Sequence, residues 1–345
     1  MRICLCLLAF MLVAPIVVAE ESSSHQIYAK PVVRTAPKYP SSELRHRRQG
    51  WVELNFVVTE EGKVIEPVVE ASSGSRSFER AAIDTVKRWR YEPALLNGEP
   101  IEQCKTAVRI SFALDGSQTG VSTGFRSRYK KMDEALDRGE VDIASSELKR
   151  AFQSNGLTLG ELSWLWAMQA RIAGLRGDKE QQLIAVRRAL AVSDKWIPDK
   201  LRTGLLVTRV LLEIEKGNYS AAIGAYSALK AMDDADTSEL DPIVEKIQAL
   251  AESDQLLFKT AKIGGIQSCA SCASRWRYKP LRRAIEITDI DGKLGNLELR
   301  CEWQRYVGEA REGIAWKIPD SWGECSVVVY GETGSTFKLV ELPAS

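Results

Sequence analysis

Apolar and polar residues alternate along the segment GWVELNFVV, which occupies residues 50–58. Successive side chains of a β-strand point to opposite faces, so this pattern predicts a strand with one buried face. The following EEGKV predicts a hairpin turn around Gly62, and VIEPVVEASSG predicts a second strand in which Pro67 favours an edge position. The segment TAVRISFAL, residues 106–114, alternates in the same way. Together these segments predict three strands of one antiparallel sheet.

A helix is predicted between the second and third strands. The segment SFERAAIDTVKRW spaces its apolar residues at steps of four, four and three, which form one helix face: Phe78, Ala82, Val86 and Trp89. Ser77 is suited to cap this helix, and Trp89 is expected to end it. In RWRYEP, residues 88–93, we expect the aromatic residues to pack on the sheet and the arginines to face solvent. The alternative is that the arginines meet acidic groups of a partner.

The same segments carry a family resemblance. KYP at residues 38–40, QGWVELNFVVTEEGKV, SSG, FERAAIDTVKRWRYEPA and RISFAL resemble the C-terminal domain of the TonB family in order and spacing. The resemblance covers residues 31–115. It implies a periplasmic domain that grips a short extended peptide of outer-membrane receptors, the TonB box, through the edge of its sheet.

The resemblance directs attention to the third strand as the exposed edge. An extended peptide that pairs with such an edge completes its unpaired N–H and C=O groups. The predicted peptide-binding residues are Thr106, Val108, Ile110 and Phe112 on the strand, with Tyr39 and Pro40 supplying side-chain contacts.

A linker and a helical segment follow. GSQTGVSTGF at residues 116–125 is rich in glycine, serine and threonine and predicts a linker. Residues 126–258 show helical periodicity, and aligning Gly139, Gly177 and Gly217 brings apolar or small residues into register after each glycine. GNYSAAIGAY resembles the start of the second helix of a tetratricopeptide repeat, so we expect an array of about three helical hairpins. Plain stacking and a protein-binding groove both remain open for this array.

The last segment, residues 261–345, predicts a small antiparallel β domain, since apolar strands alternate with DG and GETGS turns. The overall prediction is therefore an α+β protein.

Four cysteines fall in residues 261–345, and we expect disulfides between Cys301 and Cys325 and between Cys269 and Cys272. The spacing of the second pair also suits a redox dithiol or half a zinc site. Cys104 is expected to be a buried, unpaired thiol.

The amino-acid composition disfavours several classes of function. The net charge of +1 gives no global field for nucleic acid, and two histidines distant from cysteines disfavour a zinc enzyme or a histidine-based triad. We therefore expect no enzyme activity, no cofactor and no nucleic-acid partner.

Residues 1–19 form an apolar run ending in small residues, which predicts a cleaved signal peptide and a periplasmic protein. An uncleaved inner-membrane anchor is the alternative.

Three functional hypotheses follow. The first is a non-enzymatic periplasmic protein that binds extended peptides of an outer-membrane receptor or another envelope protein. The second is a membrane-anchored energy transducer coupled to an inner-membrane proton channel for receptor-dependent transport. TonB proteins of that kind carry a long proline-rich spacer, whereas residues 20–37 are short and poor in proline. The third is a thiol oxidoreductase using Cys269 and Cys272. Mass analysis of the N-terminus separates the first two hypotheses.

Overall fold

The computed structural model describes residues 26–114, 120–192, 196–264 and 274–343. The predicted signal peptide and the predicted pair Cys269 and Cys272 lie outside these residues. The described residues form a mixed N-terminal module, a helical array and a C-terminal antiparallel β domain, as the α+β prediction required. No helix among them is long and apolar enough to cross a membrane.

The N-terminal module is built on a three-stranded antiparallel sheet with the order β4-β3-β8. Its elements are β1 (Gln26–Ile27), β2 (Lys30–Val33), α1 (Ser41–Arg45), β3 (Gly50–Val58), β4 (Val64–Ser72), α2 (Arg76–Val86), β5 (Arg90–Glu92), β6 (Ala94–Leu96), β7 (Glu99–Ile101) and β8 (Gln103–Phe112). Strand β4, which contains Pro67, is an edge strand as its sequence predicted. Proline has no backbone N–H to donate to a neighbouring strand, so an edge position suits it.

Helix α2 covers one face of this sheet. Its buried residue Phe78 stacks on Phe112 of β8, with ring centroids 4.5 Å apart. The predicted ends of the helix were wrong by two and three residues. The cap is the Ser75 hydroxyl, which accepts from the Phe78 N–H, and the helix ends at Val86. Trp89 lies beyond the helix end, where its indole N–H donates to the Thr35 carbonyl at 3.0 Å.

In RWRYEP, the aromatic residues pack in the core and the arginines face solvent, as expected from the sequence. Trp89 and Tyr91 are each 5% exposed and belong to the core of the module, whereas Arg88 and Arg90 are exposed. The alternation therefore reflects a segment with one apolar side that closes the core beside Phe56.

The helical array consists of three helical hairpins and one further helix within the described residues. Its helices are α3 (Thr123–Asp137), α4 (Val141–Phe152), α5 (Leu159–Leu175), α6 (Lys179–Leu190), α7 (Asp199–Glu215), α8 (Tyr219–Lys230) and α9 (Asp241–Leu250). The glycines aligned in the sequence, Gly139, Gly177 and Gly217, occupy the three hairpin turns with φ of 77°, 71° and 68°. Only glycine adopts this left-handed conformation without steric cost, which explains the recurrence. The likeness to tetratricopeptide repeats stays a prediction.

The described structure shifts two predicted boundaries. Helix α3 begins at Thr123, inside the predicted linker, because the Ser122 hydroxyl accepts from the Phe125 N–H and caps it. Strand β9 begins at Leu257, inside the predicted helical segment, because it pairs with β16 along its whole length.

The C-terminal domain contains two four-stranded antiparallel sheets, with the orders β10-β15-β12-β13 and β14-β11-β16-β9. The strands are β9 (Leu257–Lys262), β10 (Arg275–Tyr278), β11 (Ala284–Asp291), β12 (Leu294–Cys301), β13 (Arg305–Glu309), β14 (Ala315–Lys317), β15 (Cys325–Gly331) and β16 (Thr336–Glu341). Both sheets contribute to one apolar core. The predicted disulfide between Cys301 and Cys325 is present and joins directly opposed residues of β12 and β15. Cys104 is buried and free, as predicted.

The three parts pack on one another. Trp51 of β3, 1% exposed, lies against Leu159 and Val192 of the helical array. On the edge strand β4, Glu70 forms an ion pair with Arg277, and the Glu66 carbonyl accepts from Arg300 at 3.2 Å. The face of the sheet that carries Trp51 and the edge strand β4 therefore both contact other parts of the chain.

Candidate peptide-binding edge

Strand β8 is the second edge of the N-terminal sheet, because it pairs with β3 alone in that sheet. The register places Ile110 opposite Val52 and Val108 opposite Leu54. Strand β8 contains all four residues that the sequence predicted for peptide binding on the strand, so these residues do lie at an edge.

The direction of each backbone group follows from one hydrogen bond on the far side of β3. The Ser73 N–H donates to the Trp51 carbonyl at 3.0 Å, so the backbone of Trp51 faces β4. Because successive residues of an antiparallel strand bond to opposite neighbours, the backbone of Val52 faces β8 and bonds to Ile110. The same alternation turns the backbone groups of Ala107, Arg109 and Ser111 away from the sheet.

The residues predicted from the sequence alternate with these three outward-facing residues. The backbone groups of Thr106, Val108, Ile110 and Phe112 face β3, and the side chains of Ile110 and Phe112 are buried against the core. The side-chain pattern showed which residues face the core, but only the register with β3 shows which backbone groups are free. Within the described residues, no backbone hydrogen bond outside the sheet involves Ala107, Arg109 or Ser111.

The beginning of the strand is already occupied. The Cys104 N–H donates to the carbonyl of Glu302 in the C-terminal domain at 3.0 Å. Beside it, the Lys105 ammonium lies 3.5 Å from the carboxylate of Glu324. The free row of hydrogen-bonding groups is thus confined to residues 107–111, which is about half of the strand.

Side chains along the free row are exposed or held on the adjoining face. Ala107 and Ser111 are exposed. The Arg109 guanidinium donates to a Glu53 carboxylate oxygen at 3.0 Å through Nε and lies 5.9 Å from the Trp51 ring centroid. This pairing holds the long arginine side chain over the sheet face, so it does not cover the backbone of its own strand.

Tyr39 lies at the far end of the row. Its ring meets Phe112 edge-on at 5.9 Å, and its hydroxyl donates to the Arg48 carbonyl. Burial, with a smaller effect of nearby Glu43, raises the pKa of Tyr39 to about 12, so the hydroxyl stays protonated and remains a donor at neutral pH. Pro40 precedes α1 and adopts an extended backbone conformation. The structure therefore brings the predicted Tyr39 next to the predicted Phe112.

Similarity to known proteins is found in this module. The family described as Gram-negative bacterial TonB protein C-terminal matches residues 35–114. Protein TonB of Xanthomonas campestris pv. campestris strain B100 is 35% identical over 79 residues, which are 23% of this chain and 35% of that protein. Protein tonB2 of Pseudomonas aeruginosa is 36% identical over 80 residues, which are 23% of this chain and 29% of that protein. The chain thus spans about a third of the length of the curated relatives it matches.

Solved structures of TonB proteins are similar in sequence to part of this chain. The solution structure of the Pseudomonas aeruginosa TonB C-terminal domain is 25% identical and covers 26% of this chain and 90% of that one, with a TM-score of 0.23. The tonb2 protein of Vibrio anguillarum is 31% identical and covers 31% of this chain and 97% of that one, with a TM-score of 0.21. The assignment rests on the sequence matches. They show that residues 35–114 match the C-terminal domain of the TonB family. In the structure, this domain is followed by a helical array and an antiparallel β domain.

Proposed function

We propose that this protein binds extended peptides by adding them as a further strand beside β8, at residues 107–111. The observation that carries the proposal is the row of backbone groups on Ala107, Arg109 and Ser111, which face away from β3 and have no backbone partner elsewhere in the described chain. The protein acts without catalysis, on the periplasmic side, as the family of its N-terminal module implies. Its partners are outer-membrane receptors or other envelope proteins with an extended segment.

The size of the free row sets the affinity. Three outward residues offer roughly six hydrogen-bonding groups, and each completed bond contributes a net of about 1 kcal/mol. Association costs at least about 4 kcal/mol of lost translational and rotational freedom, so the backbone bonds alone give weak binding. Side-chain contacts must add to this, and the Tyr39 ring packs against Phe112 at the end of the row.

The C-terminal domain limits where a peptide can pair. Because the Cys104 N–H already bonds to Glu302, a bound peptide cannot extend along the first residues of β8. We infer that selectivity resides in a short peptide segment, with the helical array and the β domain serving as further interaction surfaces.

Proline substitution tests the proposal at the level of single backbone donors. Ala107→Pro removes one outward N–H and no bond to β3, because proline lacks the donor and edge positions tolerate it. The matched control is Val307→Pro on β13, an edge strand of the other domain. The Ala310 N–H bonds to the Gly295 carbonyl at 2.8 Å, so alternation turns the Val307 backbone outward as well.

The measurement is peptide affinity by fluorescence polarisation, with labelled TonB-box peptides of outer-membrane receptors as probes. We expect Ala107→Pro to weaken binding about fivefold, as the loss of one bond of about 1 kcal/mol implies, while Val307→Pro leaves it unchanged. Hydrogen exchange should show added protection at residues 107–111 of the wild type when peptide is present. A folded Ala107→Pro variant that binds as tightly as the wild type would overturn the proposal.

A further inference from the structure

A cavity of about 550 Å³ lies where the helical array, the C-terminal domain and the N-terminal sheet meet. We call it the cationic cavity. Its walls come from α6 and the turn after α7, from strands β9 and β10, and from residues of β4 and β8: representative lining residues are Ile184, Lys216, Lys259, Trp276, Val69 and Lys105. It is separate from the free row of β8, since none of residues 107–111 lines it.

Positively charged residues predominate in the lining of this cavity. Among its described lining residues, eight are lysine or arginine and two are glutamate. The whole chain, by contrast, has 47 basic and 46 acidic residues and a net charge of +1. The local excess is therefore a property of the tertiary arrangement and does not reflect a basic protein.

Several of the cations are neutralised by neighbouring carboxylates. Arg277 pairs with Glu70, and the Lys279 ammonium lies 2.8 Å from Glu324. Arg187 lies 2.6 Å from the carboxylate of Glu213, whose side chain is fully buried. These pairs serve the packing of the three parts and leave little charge for a ligand.

Three lysines are different. Within the described chain, no carboxylate lies at ion-pair distance from Lys216, Lys259 or Lys262, all of which line the cavity. Lys259 donates to the Lys216 carbonyl, so its ammonium is held at the cavity wall by a neutral acceptor. These three lysines thus line the cavity without an ion-pair partner among the described residues.

The pKa of Lys259 reflects its burial and the cations around it. Burial lowers its pKa to about 8, Glu213 raises it, and Arg187 and Lys216 lower it further. The ring of Tyr278 lies 5.8 Å from the same ammonium and carries no charge at neutral pH, because burial raises its pKa. Lys259 is therefore still protonated at pH 7, and an anion in the cavity would relieve the repulsion that it experiences.

We propose that the cationic cavity is a binding site for a multivalent phosphate-type anion, held by Lys216, Lys259 and Lys262. Lysine ammonium groups act as point charges, which suit the several oxygens of a phosphate group better than a single planar carboxylate. Apolar lining by Ile184 and Trp276 leaves room for an organic portion of the ligand. The phosphate group belongs either to a soluble molecule or to a lipid headgroup.

Calorimetric titration of the full-length protein tests the site. The soluble probe is tripolyphosphate, and the membrane probe is vesicles of phosphatidylcholine with added phosphatidic acid, measured by co-sedimentation. The expected result is saturable binding of one anion per chain in at least one arm, and the arm that binds identifies the source. Absence of saturable binding in both arms would overturn the proposal.

Charge-matched variants make the test specific. Lys216→Gln with Lys259→Gln should weaken binding at least tenfold, whereas Lys131→Gln with Lys246→Gln should change it less than twofold. The control pair removes the same charge from exposed positions on α3 and α9. The single variant Lys262→Gln, at an exposed position, gives a second reading if the cavity double variant is unstable. Equal weakening by the cavity and control pairs would show non-specific attraction and would refute the site.

Discussion

The disulfide between Cys301 and Cys325 offers the sharpest test of how the C-terminal domain relates to the edge strand. The bond links opposed residues of β12 and β15. The residues next to the two cysteines in sequence, Glu302 and Glu324, are those that contact the beginning of β8. Replacing both cysteines by alanine should therefore weaken the β domain and also the contact that closes the beginning of β8.

The expected magnitude follows from the loop that the disulfide closes. The sequence separation is 24 residues. A cross-link over a loop of this length removes chain entropy from the unfolded state equivalent to about 3.5 kcal/mol at 25 °C. Since each 1.4 kcal/mol is a factor of ten, amide hydrogens that exchange through unfolding of this domain should exchange roughly 300-fold faster in the variant.

Hydrogen exchange with mass spectrometry measures this effect segment by segment. Peptides from β12 and β15 should show the full acceleration, a peptide containing Cys104 should show part of it, and the helix α5 should show little. Cys104→Ala is the matched control because it removes a thiol that is not in a disulfide. Unchanged exchange in β12 and β15, or an equal acceleration in α5, would refute the link between the disulfide and the stability of this domain.

Three further predictions concern turns and buried charges. Gly62→Ala should lower the unfolding free energy by at least about 1–2 kcal/mol in urea denaturation, because φ is +72° there and an added Cβ would meet the Tyr91 carbonyl. Arg187→Ala should cost about 3 kcal/mol by the same measurement, because it removes one partner of the fully buried Glu213; the same change at an exposed arginine of the array should cost under about 1 kcal/mol. For Lys259, whose folded-state pKa of about 8 lies below its ordinary value, the unfolded chain binds more protons above pH 8. The stability of the wild type relative to Lys259→Met should therefore rise between pH 8 and pH 10, and a fall in that window would contradict the assignment.

Much of the fold was predictable because its signals are local. The alternation of residues 50–58 and the helical spacing from Phe78 to Val86 each arise within one element, so the sequence predicts them directly. The three hairpin glycines were also predictable, since each marks a left-handed turn that other residues adopt only at a cost. The helix ends were predicted wrongly, because Ser77 was expected to cap the helix, whereas the Ser75 hydroxyl accepts from the Phe78 N–H.

The candidate site was predictable only in part. Strand β8 lies at an edge of the sheet, as the sequence predicted, whereas peptide binding there stays a prediction. The sequence could not indicate that the free backbone belongs to Ala107, Arg109 and Ser111, because side-chain alternation does not reveal which neighbour each backbone group faces. That assignment required the register with β3.

The sequence by itself determined the order of elements, the apolar face of each element and the match to a known domain, because these depend on periodicities of a few residues. Tertiary structure alone decided which part of β8 is closed by Glu302 and which lysines line the cationic cavity. Such contacts join residues as far apart as Glu66 and Arg300, which are separated by 234 positions. No local pattern records them, because they arise when separately folded parts bury their surfaces against one another.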